Sequence, residues 1–275
     1  MERLTATLNA LLALLIIVGI VLGPLGFESV HFHMNRNSIV QYEGSEVAML
    51  VVAIGLFISA WLWLSNVQTA AAISLGLALF VIYTMVTVVM GQEYQQFPEG
   101  NAEKFFLLYA AITALAGIVV LLGVNALQGS TLNVSSRWMS ITKWTLGVQA
   151  GLFALMWLAQ ITNVYRNGFS TELGETRLLF WLVKYLDLGY VIPAAFLTLA
   201  LLHHHQPLAS TLVLAVAGFT TVMLVTIAAM TISSWLQDEP EGVLVLAAGM
   251  LVLAIPSALV WWQWANAAHT NQVLK

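Results

Sequence analysis

Long apolar runs broken by short polar interruptions make up the chain. Eight stretches, at 5–23, 47–64, 70–90, 105–124, 138–161, 178–202, 208–235 and 243–264, are apolar over most of their length. A hydrocarbon core about 30 Å thick is crossed by about 20 helical residues. Backbone groups in lipid must be paired within the segment, which selects helices. The pattern predicts an all-α fold, a polytopic membrane helix bundle of about eight transmembrane helices. It forms a single transmembrane domain over 1–275 with no separate soluble domain. The first run is read as a retained helix rather than a cleaved signal. Its apolar core is long, and Gly23-Pro24-Leu25-Gly26 is a poor cleavage site.

Composition agrees: 60% of residues are hydrophobic and 8% charged, against roughly 25% charged in soluble domains. The absence of cysteine excludes disulfides, thiol catalysis, iron–sulfur clusters and covalent haem attachment. A net charge of −4 gives no basic footprint for nucleic acid. No Gly-rich phosphate loop stands between a strand and a helix. All histidines fall in loops or at helix ends, which disfavours a bis-histidine haem inside the bundle.

Charge sorts by side. With eight spans, Arg3, Arg137, Lys143 and Lys275 share one side with Glu2, a net of +3. The other side carries Arg36, Lys104, Arg166 and Arg177 against Glu28, Glu43, Glu46, Glu93, Glu99, Glu103, Glu172, Glu175, Asp238, Glu239 and Glu241, a net of −7. Basic residues alone divide evenly, so the positive-inside rule does not decide. Arg137 and Lys143 beside short loops favour cytoplasmic termini, and the expected location is a bacterial inner membrane. Tryptophans are expected at the two interfaces: Trp61, Trp63, Trp138, Trp144, Trp261, Trp262 and Trp264 at one, Trp157, Trp181 and Trp235 towards the other. A parallel repeat of four helices per half is suggested by short turns between helices 2 and 3 and helices 6 and 7. Glu43-Gly44-Ser45-Glu46 and Glu172-Leu173-Gly174-Glu175 precede the second helix of each half.

The sixth run holds the chemistry that a bilayer tolerates least. Lys184 and Asp187 lie three residues apart, on one helix face. Charged groups at membrane depth mark a site or a pair. Pro193 cannot donate to the Gly189 carbonyl, so the helix is interrupted just past the carboxylate. Two readings stand side by side: a cation or proton site at Asp187, or a structural pair in which Lys184 neutralises it. A retinal-type Schiff base on Lys184 is disfavoured, because this helix is sixth of eight and the buried acid shares it.

In the first acidic-side loop, His31 and His33 project to one side of an extended segment, as a chelating pair would. With Met34 they suit copper, and with carboxylates zinc. Two histidines alone are a weak signal, and a solvated loop at the headgroup boundary is the favoured reading. His203-His204-His205 before Pro207 reads as a helix C-terminal cap. Gln149, Tyr83 and Tyr109 are polar groups in the spans. With Glu46 and Glu93 at helix ends they would line an acidic vestibule above Asp187 if helices 2, 3, 5 and 6 are neighbours. Interhelical hydrogen bonding explains them as well.

Four phrases together resemble a widespread family of uncharacterised bacterial multi-pass membrane proteins. They are Gln41-x-x-Gly44-x-Glu46, Tyr83 near the end of helix 3, Phe105-Phe-Leu-Leu-Tyr109, and Leu186-Asp187-Leu-Gly189 with Pro193. The likeness covers helices 2 to 6. In that family an Asp is usual where Glu46 stands, and further tyrosines are usual near Tyr83, where this chain has Met85 and Val88. The resemblance carries no established activity; it implies that Glu46, Tyr83 and Asp187 work together.

The leading expectation is a protein that binds or transports a small cation or polar solute through an outward-facing acidic cavity. Asp187, Lys184, Glu46, Gln41, Tyr83 and Glu93 would form the site, with Glu43 at its entry. No catalytic residue and no cofactor is predicted, beyond a divalent metal at His31 and His33. The alternatives are a metal-dependent membrane enzyme acting on lipid or quinone, and a non-catalytic accessory subunit of a membrane complex. The lipid bilayer is the expected partner, and nucleic acid is not.

Overall fold

The computed structural model describes residues 2–128, 132, 134–170, 174–239 and 242–273, with side chains to 269. Glu172, Glu241 and Lys275, counted above among the loop charges, lie outside the described residues. Eight helices among them are long and apolar enough to cross a membrane, making this a multi-pass membrane protein with an all-α fold. They are α1 (Glu2–Leu22), α2 (Arg36–Leu62), α3 (Val67–Met90), α4 (Phe106–Leu127), α5 (Ser136–Asn167), α6 (Arg177–His203), α7 (Leu208–Leu236) and α8 (Leu244–Val273). A 3₁₀ turn, Ala102–Phe105, leads into α4. No strand occurs among the described residues.

Side-chain oxygens close three of the helix starts. Asn35, Asn66 and Ser135 accept from the backbone N–H of Ser38, Thr69 and Trp138, which supplies partners for otherwise orphaned donors. The helix α2 begins at Arg36, well before the apolar run at 47. Its polar first turns continue the helix at the acidic end of the bundle.

The most enclosed helices are α2, α3 and α7. In the first half, α1 packs on α2, α2 on α3, α3 on α4 and α4 back on α1. The second half repeats this circuit with α5 on α6, α6 on α7, α7 on α8 and α8 on α5. The halves meet where α3 crosses α7, flanked by α2 against α7 and α3 against α6. The two inner pairs of start points keep one interval: Arg177 follows Arg36, and Leu208 follows Val67, both 141 positions on (177 − 36 and 208 − 67), while the outer pairs are 134 and 138 apart (136 − 2 and 244 − 106). The packing thus has the form of a parallel repeat, but not through the motifs that suggested it: Glu43-Gly44-Ser45-Glu46 lies inside α2, and Glu172 and Leu173 lie outside the described residues.

Small residues bring the central helices together. A Cβ on Gly76 of α3 would lie 2.7 Å from the Gly218 Cα of α7, and one on Gly44 of α2 2.5 Å from the Ala229 carbonyl oxygen of α7. Such close approach is how helices associate where lipid removes any hydrophobic drive between them. Trp261 of α8 packs over Gly218 and donates its indole N–H to the Ala72 carbonyl of α3 at 3.0 Å. Trp264 is buried and donates to Thr142 of α5 at 2.9 Å. These two tryptophans turn into the bundle, whereas Trp262 between them is exposed. An indole whose N–H finds a partner inside is as well satisfied there as at the headgroups.

Candidate functional site

The helix α6 is not continuous. An α-helical segment, Arg177–Leu186, passes into one π turn, Asp187–Val191, and then into a second α-helical segment, Ile192–His203. The N–H of Ile192 bonds to the Asp187 carbonyl five residues back, and Pro193 stands at the head of the second segment. The interruption expected from Pro193 takes the form of a widened turn that begins at the carboxylate itself. Single π turns inside helices recur at functional sites.

The Asp187 side chain is buried and accepts on both oxygens. Tyr83 of α3 donates its hydroxyl to Oδ1 at 2.8 Å, and Trp157 of α5 donates its indole N–H to Oδ2 at 2.8 Å. The carboxylate is thereby fixed between three helices. Lys184, one turn earlier and also buried, acts on it electrostatically. The Lys184 Nζ sits 4.1 Å from the centre of the Trp157 ring and 3.7 Å from that of Phe180. Cation–π contact of this kind holds an ammonium where water is scarce.

Asp187 lines a cavity of about 40 Å³ between α5, α6 and α7. A water needs roughly 10–15 Å³ on this measure, so the space admits a few waters or one small ion. Leu146, Phe153, Val191 and Phe219 are among its apolar walls, and Thr220 and Gln149 add polar atoms. Gln149 itself is engaged across the bundle. It donates to the Leu253 carbonyl at 2.7 Å and accepts from the Ser257 hydroxyl at 2.8 Å, joining α5 to α8.

Of the residues proposed from sequence, Tyr83, Lys184 and Asp187 come together. The remainder serve the acidic end. Glu46 is buried and accepts from the Leu25 N–H at 2.8 Å just after α1, with its carboxylate pressed on Gly23. Glu93 accepts from the Leu178 N–H at 2.6 Å in the first turn of α6, a carboxylate placed where the helix dipole favours it. Gln41 bonds to Asn37 at 3.4 Å. Glu43 accepts from Gln237 at 2.5 Å, and Glu239 pairs with Arg36 at 3.0 Å. The contacts of Glu93, Glu43 and Glu239 tie the two halves to each other, and none of these residues lines the Asp187 cavity.

His31 and His33 do not share a face. His31 is exposed, and its backbone N–H bonds to Asn101. His33 is buried, with Nδ1 2.6 Å from the Phe97 carbonyl oxygen and Nε2 2.9 Å from a Glu103 oxygen. Its ring stacks on Tyr94 at 4.4 Å. Burial, and secondarily the Glu103 carboxylate, push the Tyr94 phenol above its usual pKa. No group of three or more His, Asp or Glu suited to a metal ion occurs among the described residues.

The residue that sequence reasoning missed is Trp157, placed by composition at an interface. Its depth was readable. Trp157 lies ten residues before the end of α5 at Asn167, and Asp187 ten residues after the start of α6 at Arg177. At about 1.5 Å per residue both stand about 15 Å from the loop that joins them.

No family model, no curated protein and no solved structure matches the chain. The resemblance noted from sequence therefore rests on its motifs alone.

Proposed function

We propose that this membrane protein binds a small cation, the proton included, at Asp187 and carries it across the bilayer. The carrying observation is a buried carboxylate at a π turn that lines a largely apolar cavity of about 40 Å³. An acid at membrane depth costs several kcal/mol on most scales, and such residues mark ion and proton routes. Tyr83 and Trp157 orient the carboxylate, and Lys184 supplies a neighbouring positive charge with which a bound cation would compete for it. The doubled four-helix circuit supports the same reading, since parallel repeats place substrate sites where the halves meet. Tyr83 and Asp187 come from opposite halves. This reading moves the solute site inward from the acidic end to the α5–α6–α7 cavity.

The test is flux in proteoliposomes carrying an internal pH dye, under imposed Na⁺, K⁺ or proton gradients. Asp187→Asn keeps the side-chain size and removes the charge. Loss of a gradient-dependent signal present in the unsubstituted protein is expected. Equal flux in the two proteins would remove Asp187 from the route.

A further inference from the structure

At the opposite end of the bundle from the acidic loops, a groove of about 590 Å³ runs between α5 and α6. Ser140, Lys143, Trp144, Gly147 and Val148 line it from α5, and Leu199 and His203 from α6. Gly147 faces Leu199 across it, where an added Cβ would lie 3.5 Å from the Leu199 side chain. Its residues grade along its length. Gly147, Val148 and Leu199 offer an apolar track, and Lys143, Ser140 and His203 offer polar atoms at the mouth. Trp144 is 72% exposed beside them, in the position an indole takes at a headgroup boundary.

The mouth is electropositive in composition. Arg137 lies three residues before Ser140 on the same helical face, and His204 and His205 follow His203 in the turn after α6. The segments at this end contain no Asp or Glu apart from Glu2. The Lys143 ammonium has no hydrogen-bond or ion-pair partner among the described residues. A cation partly sheltered in a groove, with a hydroxyl and an imidazole beside it and an apolar track leading away, matches one class of ligand. That ligand carries a phosphate at one end and a long hydrocarbon at the other.

We infer that this groove binds an anionic phospholipid. Its phosphate sits among Lys143, Ser140 and His203, and one acyl chain lies along Gly147, Val148 and Leu199. Basic pockets between transmembrane helices recognise lipid headgroups in this way, through charge rather than through the acyl chain. The site is separate from Asp187, which lies deeper on the same pair of helices, so its test is independent of transport.

The experiment uses delipidated full-length protein in detergent, titrated with phosphatidylglycerol or with phosphatidylcholine. Bound lipid is counted by native mass spectrometry. Phosphatidylglycerol is expected to bind about tenfold more tightly, in keeping with two basic groups, Lys143 and His203, beside one net-negative headgroup. Lys143→Gln and His203→Gln should each reduce that preference several-fold, and the double substitution should abolish it. Lys143→Arg should restore most of it, and Lys104→Gln at the acidic end should leave it unchanged. Equal binding of the two lipids would overturn the assignment. So would a preference that survives the double substitution, because the charge would then be read elsewhere.

Discussion

The Tyr83 hydroxyl donates to Asp187 Oδ1 across 2.8 Å, and this bond joins the third helix of one half to the second helix of the other. It is a buried polar tie across the central seam, and the Tyr83 ring also packs edge-on against Phe219 of α7 at 5.5 Å. Tyr83→Phe keeps the ring and removes the donor, leaving a buried carboxylate oxygen short of a partner. Unsatisfied buried acceptors cost about 1–3 kcal/mol. We expect a lower unfolding midpoint in detergent and a several-fold loss of flux. Trp157→Phe should act in the same direction through Oδ2. If the two changes act on one carboxylate, the double variant should lose less than the two single losses combined. Strict additivity in unfolding experiments would separate the two hydrogen bonds.

The crossing of α3 and α7 admits no side chain. Gly76→Ala would set a Cβ 2.7 Å from the Gly218 Cα, where the obstacle is backbone and cannot rotate away. Overpacking of this kind costs about 1–3 kcal/mol, and here it would push the halves apart along their seam. Gly151 has open space around its Cβ position. Gly151→Ala should therefore be neutral or slightly stabilising, since alanine is about 1 kcal/mol the better helix former. A thermal scan of the two variants checks the contrast; equal midpoints would mean that the α3–α7 contact yields without cost.

His33 closes the acidic end. The Phe97 carbonyl only accepts, so Nδ1 carries a hydrogen, and either Nε2 or Glu103 must hold the proton between them. The ring fits against Gly100, where a Cβ would come within 2.6 Å of it. His33→Ala should lower stability by about 1–3 kcal/mol through the Phe97 carbonyl left without its donor. Gly100→Ala should weaken the same loops by displacing the ring. Both changes should increase amide exchange in residues 91–101 while leaving α7 and α8 protected. Uniform acceleration across the chain would show instead that His33 holds the whole bundle.

The eight spans were legible because lipid demands a length of apolar helix that hydropathy measures directly. Asp187, Lys184 and Tyr83 were legible for the complementary reason, as polar groups in segments that otherwise have none. What could not be read was the rotation of each helix. In water an apolar stripe tells which side faces inward, but lipid is as apolar as a core, and helices such as α3 and α7 carry no such stripe. The inward turn of Trp157, Trp261 and Trp264 followed from partners on other helices, so composition alone left them at the interfaces. The individual partners of the acidic residues were hidden for a related reason. Their loop positions were plain, but their partners, Leu25, Leu178, Gln237 and Arg36, are distant in sequence.

Glu46 stands at the position that the 141-residue interval relates to Asp187, as Glu43 does to Lys184. The equivalence is topological, and the two carboxylates are used differently. Asp187 faces a cavity and takes its donors from Tyr83 and Trp157, whereas Glu46 is filled in by the turn after α1. Glu46→Gln retains an oxygen that can accept from the Leu25 N–H, so it should keep most of the stability and near-normal flux. Glu46→Ala removes the acceptor and should cost about 1–3 kcal/mol, with flux per folded molecule preserved. Asp187→Asn is expected to reverse that pattern, folding well and carrying nothing. If Glu46→Gln abolished flux as Asp187→Asn does, both halves would contribute a carboxylate to the route, and the single-site reading would fall.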